Sequence, residues 1–276
     1  MKVSPNPVQE KKPDLEAVSA AFCGARSAGR ALGGFPGILP ASLDDAYRVQ
    51  DLSIARWPDQ VAGWKVGGID PAMRAAYPAT RLCGPIFSRY VRHAADGEPA
   101  GMLAFEGGFA AIEAEFAFRL GDVSALPDAP LVLDDAIRAI ESAHIGVEVA
   151  SSPLATINEL GPGAIVSDFG NNAGLVIGPA LSRDRLARLF EIEITVDIDG
   201  RTAGVGRAGR GADGPLGSVV FLIECLRQRG HAIPPGTWVS TGAISGVHSA
   251  PVGSFSVARF AGLGSLSVEL LAHPRR

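Results

Sequence analysis

Hydrophobic positions along this chain follow two rhythms. Near the N-terminus they recur at helical spacing, and farther on they collect into short runs cut by glycine and proline. Asp14 is a capping residue before Leu15, Val18, Phe22 and Ala25, which predicts a helix to about Leu32, closed by Gly33-Gly34 and Pro36. Ser42-Leu43-Asp44-Asp45 is a second capping signal, and Ala46, Val49, Leu52 and Ile54 share one face until Trp57-Pro58. The pair predicts a small helical subdomain over residues 1–60.

From Val61 the pattern changes to a β-rich body over 61–276. Strands are expected around Gly63-Trp64-Lys65-Val66-Gly67, Gly84-Pro85-Ile86-Phe87 and Ala111 to Leu120. Asp134 to Ser142 predicts a helix that gives way to a strand at Ile145 to Ala150. Ile165 to Asp168 leads into the Gly170 to Gly174 turn and a strand at Leu175 to Ile177. Glu191 to Ile198 alternates and turns at Asp199-Gly200, a hairpin signal. Pro215 to Arg229 predicts a helix stopped by Gly230, and strands follow at Thr237 to Thr241, Phe255 to Phe260 and Leu266 to Leu271. The fold class is α+β.

Composition narrows the partners. With 276 residues and 47% hydrophobic content a sizeable core is assured. A net charge of −4, with no basic cluster interleaved with aromatics, argues against nucleic acid and anionic membrane and for a small molecule. Cys23, Cys83 and Cys225 are far apart and form no CxxC, so neither a disulfide framework nor a zinc knuckle is indicated, and a cytoplasmic setting fits. Met1 to Lys12 is polar, lacks a signal-peptide core and is expected to be disordered.

Glu113 and Glu115 stand two apart in a strand that is otherwise apolar. Period-two alternation puts both carboxylates on one face, roughly 7 Å apart along the chain. Buried together they would raise each other's proton affinity unless a cation joined them. The competing explanation is a sheet edge in water, but Phe109, Ile112, Phe116, Phe118 and Leu120 flank the pair and favour burial. Glu148 is a third isolated glutamate among β-branched residues, either a further ligand or a rim carboxylate. Three carboxylates leave positions on a hard cation for water or substrate oxygens, as magnesium and manganese use them.

These segments, together with Cys83-Gly84-Pro85-Ile86-Phe87, His144 to Ser151, Asp168 to Gly178, Ser240-Thr241-Gly242 and Gly262 to Val268, resemble in their order the 2-keto-4-pentenoate hydratase family of the fumarylacetoacetate hydrolase superfamily. The resemblance covers roughly Ala41 to Leu271. It implies a mixed β-roll catalytic domain with a small helical N-terminal subdomain, a homo-oligomer, and Mg2+ or Mn2+ held by Glu113, Glu115 and Glu148. The implied substrate is a small-molecule 2-oxo acid of aromatic catabolism, whose 1-carboxylate and 2-oxo oxygens chelate the ion so that a Lewis acid stabilises an enolate. Hydration of a 2-hydroxypenta-2,4-dienoate is the activity expected first. Decarboxylation of 4-oxalocrotonate, hydrolysis of an acylpyruvate, or metal-dependent binding of a 2-oxo acid without turnover are the alternatives.

Within that resemblance Lys65 holds the substrate carboxylate or relays a proton, and otherwise it is a snorkelling strand lysine. Asp168 serves as a relay or as the partner of Lys65, or else forms an Asx turn. Thr241 and Gly242 offer a hydroxyl and an N–H to the substrate carboxylate, or mark a plain strand-to-turn transition. His144 is expected in the core. The chain departs from the family pattern at three places. Asp70 in Gly68-Ile69-Asp70 puts an acid where a small hydroxyl is usual, beside the substrate. Asp213-Gly214-Pro215-Leu216-Gly217 lacks a His and an Asn, which weakens hydration. Ser151-Ser152-Pro153 lacks an Arg. Gly204 to Gly209 spells GxGxxG, but a hairpin precedes it and no helix follows directly, so it is not a dinucleotide fingerprint. Arg207 and Arg210 on that loop are expected to attract a carboxylate to the mouth of the site.

Overall fold

The computed structural model describes residues 13–94 and 98–274, so the expectation for the first dozen residues lies outside the described residues. Helix α1 (Leu15–Ala28) starts where Asp14 accepts the Ala17 N–H at 3.0 Å. It stops at Gly29, four residues before the expected glycine pair. Gly29 turns left-handed at φ +61°, and a Cβ there would lie 2.7 Å from the Pro274 carbonyl, so the C-terminal segment takes the space a longer helix would need. Helix α2 (Leu43–Arg56) is capped by Ser42 as its sequence indicates and ends at Trp57, ahead of Pro58.

Two sheets follow. The strands are β1 (Val61–Gly68), β2 (Arg81–Phe87), β3 (Val91–His93), β4 (Ala100–Ala104), β5 (Phe109–Leu120), β6 (Ile140–Ser152), β7 (Asn172–Leu181), β8 (Glu193–Ile198), β9 (Arg201–Arg207), β10 (Trp238–Ser240), β11 (His248–Ser249), β12 (Phe255–Phe260) and β13 (Gly264–Ala272). Among the described residues the larger sheet runs β2-β1-β10-β5-β6-β7-β3, with β11 also on β5, and the smaller runs β4-β13-β12-β8-β9. Helices α3 (Leu133–Ala139), α4 (Ile157–Leu160), α5 (Pro162–Ser167) and α6 (Pro215–Gln228) complete the elements that matter here.

Strand β6 begins at Ile140, not Ile145. Its partner β5 is long, and pairing continues from Phe109↔Ser152 to Leu120↔Ile140, which shortens the expected helix to seven residues. Helix α5 opens on Pro162, a position the sequence pattern left without an element, and β3 and β4 are too short for their alternation to register. The Asp199-Gly200 hairpin forms as expected, both residues at positive φ.

Alternation sorts the faces of the central strands. Ile112, Ala114, Phe116 and Phe118 of β5, with Ile145, Val147 and Val149 of β6, enter the main core between the sheets, where Phe116 meets Phe260 at 5.9 Å between centroids. The opposite face carries Glu113, Glu115 and Glu148. A smaller core joins Val18 and Phe22 of α1 and Val49 of α2 to Leu154, Ile157 and Ala164, so the N-terminal helices pack on α4 and α5. No described helix is long and apolar enough to cross a membrane.

Candidate metal centre

Antiparallel pairing of β5 with β6 puts Glu113 directly opposite Glu148, and Glu115 opposite Gly146. The three side chains therefore leave one face of the sheet side by side, and one oxygen from each lies within 4.8 Å of the others. All three are buried, Glu115 and Glu148 completely. The sheet-edge alternative is excluded, because β10 covers one flank of β5 and β6 the other.

The trio is held from outside. Glu115 Oε2 accepts from the Ser240 hydroxyl and, at 2.9 Å, from the Gly242 N–H. Glu148 Oε1 accepts from Asn172 Nδ2 at 2.9 Å and faces Lys65 Nζ at 3.4 Å. The remaining oxygens, Glu115 Oε1 and Glu148 Oε2, are buried and accept no hydrogen bond from the described residues. Native proteins rarely leave such atoms unsatisfied, and three converging carboxylates are the donor set a hard divalent cation takes. The residues fit such an ion.

Without an ion the cluster resists ionisation. Desolvation pushes Glu113 up to about 7, with Lys65 opposing and Glu148 adding to the rise. Glu115 is held well above the carboxylate range by desolvation and by the charges of Glu148 and Glu113. Burial alone would lower the pKa of Lys65, but the charges of Glu148, Glu113 and Glu115 outweigh it, so the ammonium is retained. The linkage then has a definite sign. The folded metal-free protein binds more protons than the unfolded chain, so its stability should fall as pH rises from about 4.5 through about 7. Magnesium affinity should rise over the same window as protons are displaced. Thermal unfolding in chelator, and calorimetry in buffers of different ionisation enthalpy, would show both; a flat stability profile would contradict the assignment.

Lys65 takes its place through β1, whose register sets it beside Ser240 of β10, and its ammonium also donates to Asn171 Oδ1 at 3.3 Å. Asp168 is not its partner, contrary to expectation. That carboxylate is fully buried and bound by Arg26 of α1, whose Nε and Nη2 both donate to it, Nη2 at 2.9 Å. The same guanidinium donates to the Asn172 carbonyl at 2.9 Å and the Ser151 carbonyl at 3.1 Å. Between Asp168 and Asn172 the chain makes three successive left-handed steps, Phe169 at φ +55°, Gly170 at +66° and Asn171 at +54°. Such backbone persists only where its surroundings over-determine it. Here Arg26 grips both ends of the turn, and Phe169 packs on Phe87 and Trp57. Gly84 lets the turn approach, because a Cβ there would sit 2.2 Å from the Phe169 carbonyl. The turn delivers Asn171 to Lys65 and Asn172 to Glu148.

A cleft of about 530 Å3 opens beside the trio, bordered by Glu113, Lys65 and Asn171. Thr241 and Gly242 line it, but the Thr241 hydroxyl donates to the Phe116 carbonyl at 2.9 Å and the Gly242 N–H is committed to Glu115. The expectation that both donate to a substrate is thereby corrected: they hold β5 and its carboxylate. Asp70 lines the outer cleft, where one of its oxygens accepts the Ala72 N–H. Arg207 also borders the cleft, yet its guanidinium is bonded to Glu193 and the Glu191 carbonyl; Arg210 lies over the Phe190 ring. Neither matches the expected carboxylate trap. His144 is half-buried rather than in the core, and is bonded to the Gly178 carbonyl and Ser142 against Trp238. The glycines of the GxGxxG stretch lie on β9 and its exit, where Gly204 and Gly206 admit His248 and Ile244 closely. The sequence alone gave no role to Arg26, Asn172 or Ser240. The two asparagines at 171 and 172 stood within the quoted family pieces, but nothing local distinguished them from turn residues.

No model of a known protein family matches the chain. In sequence it is similar to the 4-oxalocrotonate decarboxylase of Pseudomonas putida, 25% identical over 155 residues that cover 54% of this chain and 58% of the relative. The match thus spans little more than half of that relative's length. In structure it is similar to the 4-oxalocrotonate decarboxylase from Pseudomonas putida G7 complexed with calcium and acetate, with a TM-score of 0.74 and 23% identity over 93% of this chain and 97% of the other. The same enzyme complexed with magnesium and adipate gives 0.73 over the same coverage, again at 23% identity. Fumarylpyruvate hydrolase from Pseudomonas aeruginosa, in complex with Mn2+ and pyruvate, gives 0.55 at 19% identity over 79% of this chain and 91% of the other. The chain shares the mixed α+β fold of these solved structures.

Proposed function

We propose that this chain is a divalent-metal-dependent enzyme acting on a small 2-oxo acid, and that it decarboxylates a 4-oxalocrotonate-type substrate. The observation that carries this is the buried Glu113-Glu115-Glu148 trio with two unpartnered oxygens and the Lys65 ammonium against it, reached from an open cleft that Glu113 and Lys65 line. Glu113, Glu115 and Glu148 would hold Mg2+ or Mn2+, which supplies a Lewis acid toward a chelated 2-oxo acid. The three solved relatives carry calcium, magnesium or manganese with small carboxylates, in support of that reading.

In decarboxylation the bond to the departing carboxylate breaks, carbon dioxide leaves, and the electron pair moves through the conjugated chain to the 2-oxo oxygen. Lys65, kept as an ammonium, is suited to stabilise that growing negative charge. It is not suited to act as a base. Decarboxylation is favoured over hydration by the decarboxylase relative and by Asp213 to Gly217, which lines part of the cleft without the His and Asn of the hydratase pattern. Hydration is the second reading, favoured by the order of the segments that resemble the hydratase family.

Incubating the protein and magnesium with 4-oxalocrotonate, a 2-hydroxypenta-2,4-dienoate and acylpyruvates, with products weighed by mass spectrometry, separates the possibilities. Loss of carbon dioxide supports the proposal, and gain of water assigns hydration instead. Magnesium-dependent binding with no product would make the chain a binder. On the active substrate Lys65→Ala should lower turnover by about 100-fold or more and magnesium affinity by less than about 10-fold. Equal losses in both would make Lys65 structural.

A further inference from the structure

We propose that Cys83 and Cys225 form a reactive thiol pair that a peroxide converts to an intramolecular disulfide, joining β2 to α6. Their Sγ atoms lie 3.7 Å apart although 142 residues separate them in sequence, and neither thiol serves the carboxylate site. Cys83 pairs with Val66 on the neighbouring strand, so it points to the sheet face opposite Lys65, toward α6. The pair sits in a polar nest. Arg229 Nη1 donates toward Cys83 Sγ at 3.5 Å, Tyr47 Oη lies 3.7 Å from the same sulfur, and the Arg229 guanidinium stacks on the Tyr47 ring at 4.1 Å.

The two thiols are unequal. Cys83 is fully buried and its pKa is pushed up by its bond to Cys225 and by desolvation. Cys225 keeps some exposure whereas Cys83 keeps none, so a peroxide reaches Cys225 first; the bond between the two sulfurs, aided by the Arg229 charge, also draws the Cys225 pKa down to about 6 against the effect of burial. Cys225 is thus the nucleophile and Cys83 the resolving thiol. The Cys225 thiolate attacks one peroxide oxygen, the O–O bond breaks, and hydroxide leaves while the sulfur becomes a sulfenic acid. The Cys83 sulfur then attacks that sulfur, the S–O bond breaks, and water leaves with the Cys83 proton. One peroxide is reduced to two waters as two thiols are oxidised. The sulfurs must close from 3.7 Å to about 2.05 Å, a movement that rotation of Cys225 on α6 can provide.

Cys23 is the internal control, since burial raises its pKa and among the described residues its sulfur bonds the Ser53 carbonyl rather than another thiol. Stoichiometric hydrogen peroxide should remove two hydrogens from the intact mass of the wild-type chain, with a cross-linked peptide joining positions 83 and 225 that dithiothreitol releases. Cys225 should react at least about 10-fold faster than Cys23. In Cys83→Ser a sulfenic acid at position 225 should accumulate and be trapped by dimedone. In Cys225→Ser, Cys83 should still be alkylated after unfolding. The wild-type measurement stands even if a variant folds poorly. Over-oxidation of Cys225 to sulfinic acid while Cys83 remains reduced would overturn the pairing, and so would a disulfide found only between two copies or oxidation of Cys23 at the same rate.

Discussion

Glu115→Gln is expected to weaken magnesium binding by at least about 100-fold and to make the metal-free protein more stable. The first effect follows from the loss of a charged ligand in a site where the other two carboxylates remain buried. The second follows from desolvation. Glu115 is completely buried and its ionisation is opposed by Glu148 and Glu113, so the metal-free fold loses stability as pH rises, whereas a neutral amide carries no such dependence. The carbonyl of the introduced amide can still accept from Ser240 and Gly242. Relief of one repelled carboxylate should raise the Tm of the metal-free protein, and more so as pH rises. Calorimetry with magnesium and thermal unfolding in chelator measure the two effects separately. Unchanged magnesium affinity would reject Glu115 as a ligand, and a lower Tm in chelator would mean that its hydrogen bonds matter more than its charge.

Arg26→Met is expected to be the most damaging substitution outside the trio. It leaves Asp168 buried and unpaired and releases the carbonyls of Ser151 and Asn172 that the guanidinium now satisfies. Breaking a buried ion pair from one side costs about 3–5 kcal/mol, equivalent to a drop of roughly 10 °C in Tm. Adding Asp168→Asn should recover part of the loss, because the stranded charge is gone. Magnesium affinity should fall as well in the single variant, since the turn that Arg26 clamps carries Asn172 to Glu148. A change in stability below about 1 kcal/mol would show that the clamp is dispensable. Loss of stability without loss of magnesium affinity would confine Arg26 to the fold.

The left-handed turn links these two results. Arg26 belongs to α1 and the carboxylates to the central sheet, yet α1 packs on α4 and α5, just ahead of the turn, and Arg26 reaches across to Asp168. The N-terminal helices therefore support the proposed metal site without offering it a ligand. Their role is to fix the backbone from which Asn171 and Asn172 reach Lys65 and Glu148.

Local chemistry was enough to reveal part of this. Caps such as Asp14 and Ser42 act within three residues, and alternation within a strand sets its two faces, so both helix starts and the shared face of Glu113 and Glu115 could be read from sequence alone. Glu148 was recognisable as an isolated acid among apolar neighbours, but only the β5–β6 register brought it opposite Glu113. Pairing decided the rest. Asp168 went to Arg26, 142 residues away, and not to Lys65; the Gly242 N–H went to Glu115 and not outward; Cys83 met Cys225 across the same long separation. Each of these choices depends on which strand or helix lies alongside, and a hydrogen bond of a few ångströms leaves no trace in the spacing of residues that the fold alone brings together.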